Sequence, residues 1–150
     1  MSINMIRELY DECPSARILL MSGIEAATVR HRIQSALPIE IERQVLVYFG
    51  NIESIEELQR LNIESAIEVY VLGDEERYGR DAKNIAIVHL VSALRGKCSD
   101  GKMMPVYVQF DSIPSYSNIQ KMNLPPEVFC IEGKPNIFFR PFNLHENLAR

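Results

Sequence analysis

Tryptophan is absent from this 150-residue chain, and cysteine occurs three times. Cys13, Cys98 and Cys130 lie far apart, are odd in number and form no C-x-x-C pair, so neither a zinc site nor a disulfide framework is signalled. They read as reduced thiols, the usual state of cysteine in the cytoplasm. Positive charge is in deficit, with 16 Lys and Arg against 20 Asp and Glu and a net charge of -4. No basic run interleaves with aromatics, so the electrostatic footprint of a nucleic-acid binder is missing. No apolar run is long enough to span a bilayer, which argues against direct membrane insertion. Arg7, Glu8, Asp11 and Glu12 interrupt the N-terminus, unlike the apolar core of a signal peptide. Catalytic patterns are missing as well. Ser22-Gly23 lacks the G-x-S-x-G elbow of a hydrolase nucleophile. His31, His89 and His145 have no cysteine nearby in sequence, and His145-Glu146-Asn147 lacks the second histidine of a zinc helix. No catalytic residue and no metal ligand is assigned, and the chain reads as not an enzyme.

What is present is 47% hydrophobic residues in one domain's length of chain. The most informative stretch runs from Gln44 to Asn84. An apolar run, Val45 to Phe49, stops at Gly50-Asn51. A short amphipathic helix follows, with Ile55, Leu58 and Leu61 on one face and a Ser54–Glu57 capping box at its start. A second apolar run, Val69 to Leu72, stops at Gly73-Asp74. Two strands joined by a helix in this length form a right-handed βαβ unit.

The rest of the chain extends the pattern. Residues 3–12 carry Ile3, Ile6, Leu9 and Tyr10 at helical spacing, and Pro14 ends that helix. Ala16 to Met21 reads as a buried strand closed by Ser22-Gly23. Ile24 to Leu37 reads as a helix stopped by Pro38, with Ala26, Val29, Ile33 and Leu37 inward. Asp81 is placed to cap the longest helix, Ala82 to Leu94, whose inward face is read as Ile85, Ala86, Leu90, Ala93 and Leu94. Val106 to Phe110 is another strand. Strands alternating with helices, each strand a nearly unbroken apolar run, define an α/β fold: a three-layer Rossmann-like domain with a mostly parallel sheet. It covers residues 1–111. Residues 112–150 form a proline-rich C-terminal extension with a short helix at Tyr116 to Met122, a hairpin of Val128–Ile131 with Ile137–Arg140, and a final helical turn.

Taken in order, Gly50-Asn51, Glu57-Leu58, Leu61-Asn62-Ile63-Glu64-Ser65-Ala66, Val69-Tyr70-Val71-Leu72-Gly73-Asp74 and Asn84 resemble the regulator-of-potassium-conductance domain. This is the Trk-type nucleotide-binding domain (TrkA-N) of bacterial potassium uptake systems and ligand-gated potassium channels. The resemblance spans about residues 16 to 110. It implies a Gly-Asp strand end, where this chain has Gly50-Asn51, and a Gly-Ile-x-x-Ala turn, where it has Asn62-Ile63-Glu64-Ser65-Ala66. It also implies a G-x-G-x-x-G motif after the first strand, which this chain lacks. The first strand here matches the family's second and ends in Ser22-Gly23 instead of an acid for the ribose. The chain thus reads as such a domain beginning at the helix that follows the glycine motif. The absent strand belongs in the middle of the sheet. Its gap is expected to close by sliding of the flanking strands, by a tail strand, or by a second copy of the chain, which is preferred.

Ligand crevices in open parallel sheets lie at the carboxyl ends of the strands. The candidate cofactor-binding residues are therefore Ser22, Gly23, Gly50, Asn51, Gly73 and Asp74. The run Asp74-Glu75-Glu76 could hold a cation but reads better as a solvated acidic loop. The resemblance implies NAD or another adenine nucleotide as cofactor, with weak or no binding by this chain alone because the glycine motif is missing. It implies a cytoplasmic regulatory domain of a potassium transport or channel-related protein, free or tethered to the inner membrane through a longer parent, that senses a nucleotide or mediates subunit assembly. The expected partners are further copies of the chain and the pore-forming portion of that parent. Two alternatives remain open: an interaction or dimerisation module that has lost its ligand, and a fragment of an NAD-dependent oxidoreductase.

Overall fold

A computed structural model describes residues 3–72, 80–96, 101–110, 121–125, 127–132 and 142–143. It is an α/β structure built on parallel strands. The chain divides into two compact units, Ser2–Glu57 and Leu58–Arg150.

In the first unit, α1 (Ile3–Glu12) leads into β1 (Ile18–Ser22), α2 (Ala26–Ala36), a single turn α3 (Ile39–Glu42) and β2 (Val45–Phe49). β1 and β2 pair in parallel, from Ile18 against Val45 to Ser22 against Phe49. The helices supply the core of this unit: Met5, Ile6, Val29, Ile33, Leu37 and Ile41 are all buried. Val29, Ile33 and Leu37 fall on one stripe of α2, as the 3.6-residue period requires. Pro38 stops α2, and its fixed φ then starts α3, the Glu42 N–H bonding the Pro38 carbonyl at 3.0 Å. No residue of β1 or β2 is fully buried, and Leu19, Leu46 and Phe49 are 46%, 50% and 59% exposed.

α4 (Ile55–Arg60) follows β2 and carries the chain across the boundary between the units. The second unit continues through a 3₁₀ turn η1 (Ile63–Ser65), β3 (Val69–Val71), α5 (Arg80–Leu94), β4 (Val106–Phe110), β5 (Val128–Glu132) and β6 (Phe142–Asn143). Its sheet has the order β3-β4-β5-β6, parallel except for the last pair. Val106, Val108, Phe110, Val128 and Cys130 share one face of it and are at most 1% exposed. Tyr70, Tyr107 and Phe129 are register neighbours on the other face and stack at centroid distances of 4.7 and 5.3 Å. Asn62 takes the left-handed conformation (φ 55°) that asparagine tolerates better than most residues.

Several expectations need adjustment. α5 starts at Arg80, so Asp81 lies inside its first turn instead of capping it. Its buried residues are Asn84, Ile87, Val88 and Val91, while Ile85 and Leu90 are half-buried and Ala86 and Ala93 exposed. The stripe is rotated from the expected one because an apolar helix gives the periodicity little polar contrast. Val128–Ile131 lies in β5, which joins the main sheet parallel to β4, and the antiparallel partner of β5 is Phe142–Asn143. Ile137–Arg140 and most of Tyr116–Met122 lie outside the described residues, as does the final helical turn. β1 and β3 are not hydrogen-bonded to each other and belong to separate sheets. The tail segment in β5 pairs with β4 and β6 and not with β1 or β2.

Candidate functional site at the strand ends

Because β1 and β2 run parallel and in register, their carboxyl ends lie side by side. Four of the six candidate residues meet there: Ser22, Gly23, Gly50 and Asn51. The Gly50 N–H donates to the Ser22 carbonyl at 3.0 Å. The Ser22 hydroxyl turns back to accept the Ile24 N–H at 3.1 Å, a serine turn that bends the chain towards α2. Gly73 and Asp74 lie outside the described residues.

The loop from Gly50 to Ser54 is organised by its own side chains. The Asn51 amide oxygen accepts the Glu53 N–H at 3.0 Å, and the Asn51 carbonyl accepts the Ser54 N–H at 3.0 Å. The Ser54 hydroxyl accepts the Glu57 N–H at 3.4 Å, which is half of the expected capping box. The other half differs. The Glu57 carboxylate reaches past Ser54 and accepts the Asn51 N–H at 2.8 Å. A backbone N–H at a strand end is what an anionic ligand would seek. Here a carboxylate of the same chain holds it.

A side chain at position 50 would force its neighbours to shift. A Cβ there would collide with the Glu57 carboxylate, and it would come within 2.7 Å of the Tyr48 ring and 3.1 Å of the Met21 methyl. At Gly23 the nearest atom to such a Cβ is the Gly50 carbonyl oxygen at 4.0 Å, so space does not demand glycine there. The S-x-x-E pattern marked Glu57 as a capping residue, but nothing in the spacing reveals its reach to Asn51.

Asn84, named in the sequence for its position, is only 2% exposed. Its side-chain amide donates to the Gln109 carbonyl at 2.8 Å and ties the start of α5 to the carboxyl end of β4. Arg95 closes the opposite end of α5, with one guanidinium nitrogen 3.2 Å from the Met104 carbonyl and another 3.5 Å from the Glu127 carboxylate. Among the described residues no three His, Cys, Asp or Glu side chains converge to hold a metal ion. Nor is any helix there long and apolar enough to cross a membrane.

A comparison with models of known protein families gives no match, and a comparison with curated proteins gives none either.

Proposed function

We propose that this chain is a non-enzymatic regulatory module of a potassium transport or channel-related protein and that it acts through subunit assembly. The reading rests on the ordered resemblance from Gly50 to Asn84 and on an α/β structure with parallel strands. In such a module a ligand or partner regulates by binding one arrangement of subunits better than another. The observation that carries the assembly half of the reading is the Glu57 carboxylate on the Asn51 N–H. An NAD or ATP phosphate brought to this N–H would have to displace the Glu57 carboxylate. This favours an interaction module that has lost its ligand over a nucleotide sensor.

Two experiments test the proposal. Calorimetric titration of the chain with NAD and with ATP is expected to show no low-micromolar binding, and such binding to either would return the module to the sensor class. Deleting the gene in its host is expected to change growth when potassium is limiting. Unchanged growth across potassium concentrations would remove the transport role.

A further inference from the structure

The main-chain groups of β2 divide by parity. The Ile18 N–H donates to the Gln44 carbonyl and the Gly50 N–H donates to the Ser22 carbonyl. With Ile18 opposite Val45 and Ser22 opposite Phe49, the main-chain groups of Leu46 and Tyr48 face β1. Those of Val45, Val47 and Phe49 face the other way, where no described strand lies. Native edge strands are usually blunted by lysine, proline, a bulge or an inward charge. Val45-Leu46-Val47-Tyr48-Phe49 has no charge and no proline, and its register with β1 is unbroken. Two of its large side chains, Leu46 and Phe49, are at least half exposed. Beside the strand runs a groove of about 260 Å³ whose lining includes Val45, Leu46 and Val47 of β2 and Ile33 of α2, with Arg30, Gln34 and Glu42.

We infer that a second copy of this chain pairs with this edge, β2 against β2 and antiparallel, about a two-fold axis through Val47. The parity fits. Val47 exchanges both main-chain hydrogen bonds with its counterpart, and Val45 exchanges both with Phe49 of the second copy. Every outward group of both strands is then satisfied. The side chains fit as well. Phe49 shares a face with Val45 and Val47, so the Phe49 ring of each copy lies over the groove of the other, beside Val45. Leu46 and Tyr48 meet across the seam on the opposite face, an aromatic–aliphatic pair. The strand is uncharged, so it gives no preference to an acidic or basic peptide, while its own sequence is complementary to itself in this register. Such a contact is isologous and closes as a dimer. It converts a two-stranded pair, marginal by itself, into a four-stranded sheet. β1 turns the main-chain groups of only two of its residues, Leu19 and Met21, away from β2. The pairing supplies a surface for the assembly role proposed above and rests on that reading for its biological purpose alone.

Light scattering on the full chain, from low to high micromolar concentration, is expected to show a shift from 17.2 kDa towards twice that mass. Amide exchange followed by NMR tests the surface itself. The Leu46 and Tyr48 amides should be protected at every concentration, and those of Val45, Val47 and Phe49 should gain protection only as the dimer forms. Val47→Pro removes one outward N–H and no bond to β1, the position at which a strand tolerates proline. It should weaken dimerisation by about tenfold or more. Phe49→Lys alters an exposed side chain and should do the same, and it serves if Val47→Pro fails to fold by circular dichroism. A monomer at all concentrations overturns the inference. So does a dimer whose Val47 amide exchanges as fast as in the monomer, or one that a folded Val47→Pro or Phe49→Lys chain forms as tightly as the parent. A nucleotide titration that contradicts the proposed function leaves these results unaffected, and a monomer leaves the titration unaffected.

Discussion

Glu57 accepts the Asn51 N–H at 2.8 Å, and the same carboxylate occupies the space that a side chain at Gly50 would need. The two facts are coupled and predict non-additive mutants. Glu57→Ala leaves the Asn51 N–H without its charged partner and should cost about 1–2 kcal/mol, reduced by the loop's access to water. Gly50→Ala should cost about 1–3 kcal/mol through overpacking. In the double mutant the carboxylate is gone, so the total should fall short of the sum by about 0.5 kcal/mol or more. The Tyr48 ring at 2.7 Å keeps the relief partial. Urea denaturation of the four chains measures the coupling, and strict additivity would show that Glu57 does not hold this position in solution.

Gly96 makes the contrasting case. A Cβ there would run into the backbone carbonyl of Glu64, where η1 passes the end of α5. Backbone in a packed turn cannot swing aside as a carboxylate can. Gly96→Ala should therefore cost about 1–3 kcal/mol, and Glu64→Ala should give no relief, because the obstacle is main chain. Rescue by Glu64→Ala in the same denaturation experiment would contradict the close approach.

On α5, Val88 is 0% exposed and Ile85 is half-buried. Val88→Ala should cost about 2 kcal/mol, and Ile85→Ala, although it removes more atoms, should cost less. The reverse order in chemical denaturation would restore the stripe read from the sequence. Leu58, 4% exposed, is a core anchor as read from its amphipathic turn, and Leu58→Ala should fall in the range of about 2–5 kcal/mol.

These cases show which parts of the structure are legible in the sequence. The strands β1 to β4 are visible as short apolar runs; β3 and β4 carry buried residues as such runs lead one to expect, whereas β1 and β2 are apolar yet not covered on both faces, and Gly50 and Pro38 mark real ends. The meeting of Ser22, Gly23, Gly50 and Asn51 follows from parallel pairing, which the alternation of strand and helix dictates. α3 and η1 are single turns, too short to produce a period. The place of β5 depends on a long-range pairing with β4, whereas the Glu132-Gly133-Lys134-Pro135 sequence signals only a local turn. The reach of Glu57 to Asn51 depends on where the loop folds and not on spacing. The face of α5 is obscured because its apolar residues occur on every side.

Cys130 yields a pH prediction. It is 1% exposed among Val106, Val108, Phe110 and Val128, with which it shares a sheet face. Burial pushes its thiol from 9.0 up to about 12. Below pH 9 the thiol is protonated in the folded and unfolded chains alike, and its burial carries no ionisation penalty. Between pH 9 and about 12 the unfolded chain releases the proton and the folded chain keeps it, so the unfolded state gains. Stability should then fall by about 1.4 kcal/mol per pH unit from this group. To isolate this group, the parent must be compared with Cys130→Ala, which lacks it. The variant should be less stable than the parent at pH 7, by about 1 kcal/mol for the lost sulfur packing, and the gap should shrink or reverse as pH rises past 9. Urea titrations of both chains at a series of pH values measure the gap. A gap that stays constant to pH 11 would mean that the Cys130 thiol ionises as readily in the folded chain as in the unfolded one, and that β5 does not bury it.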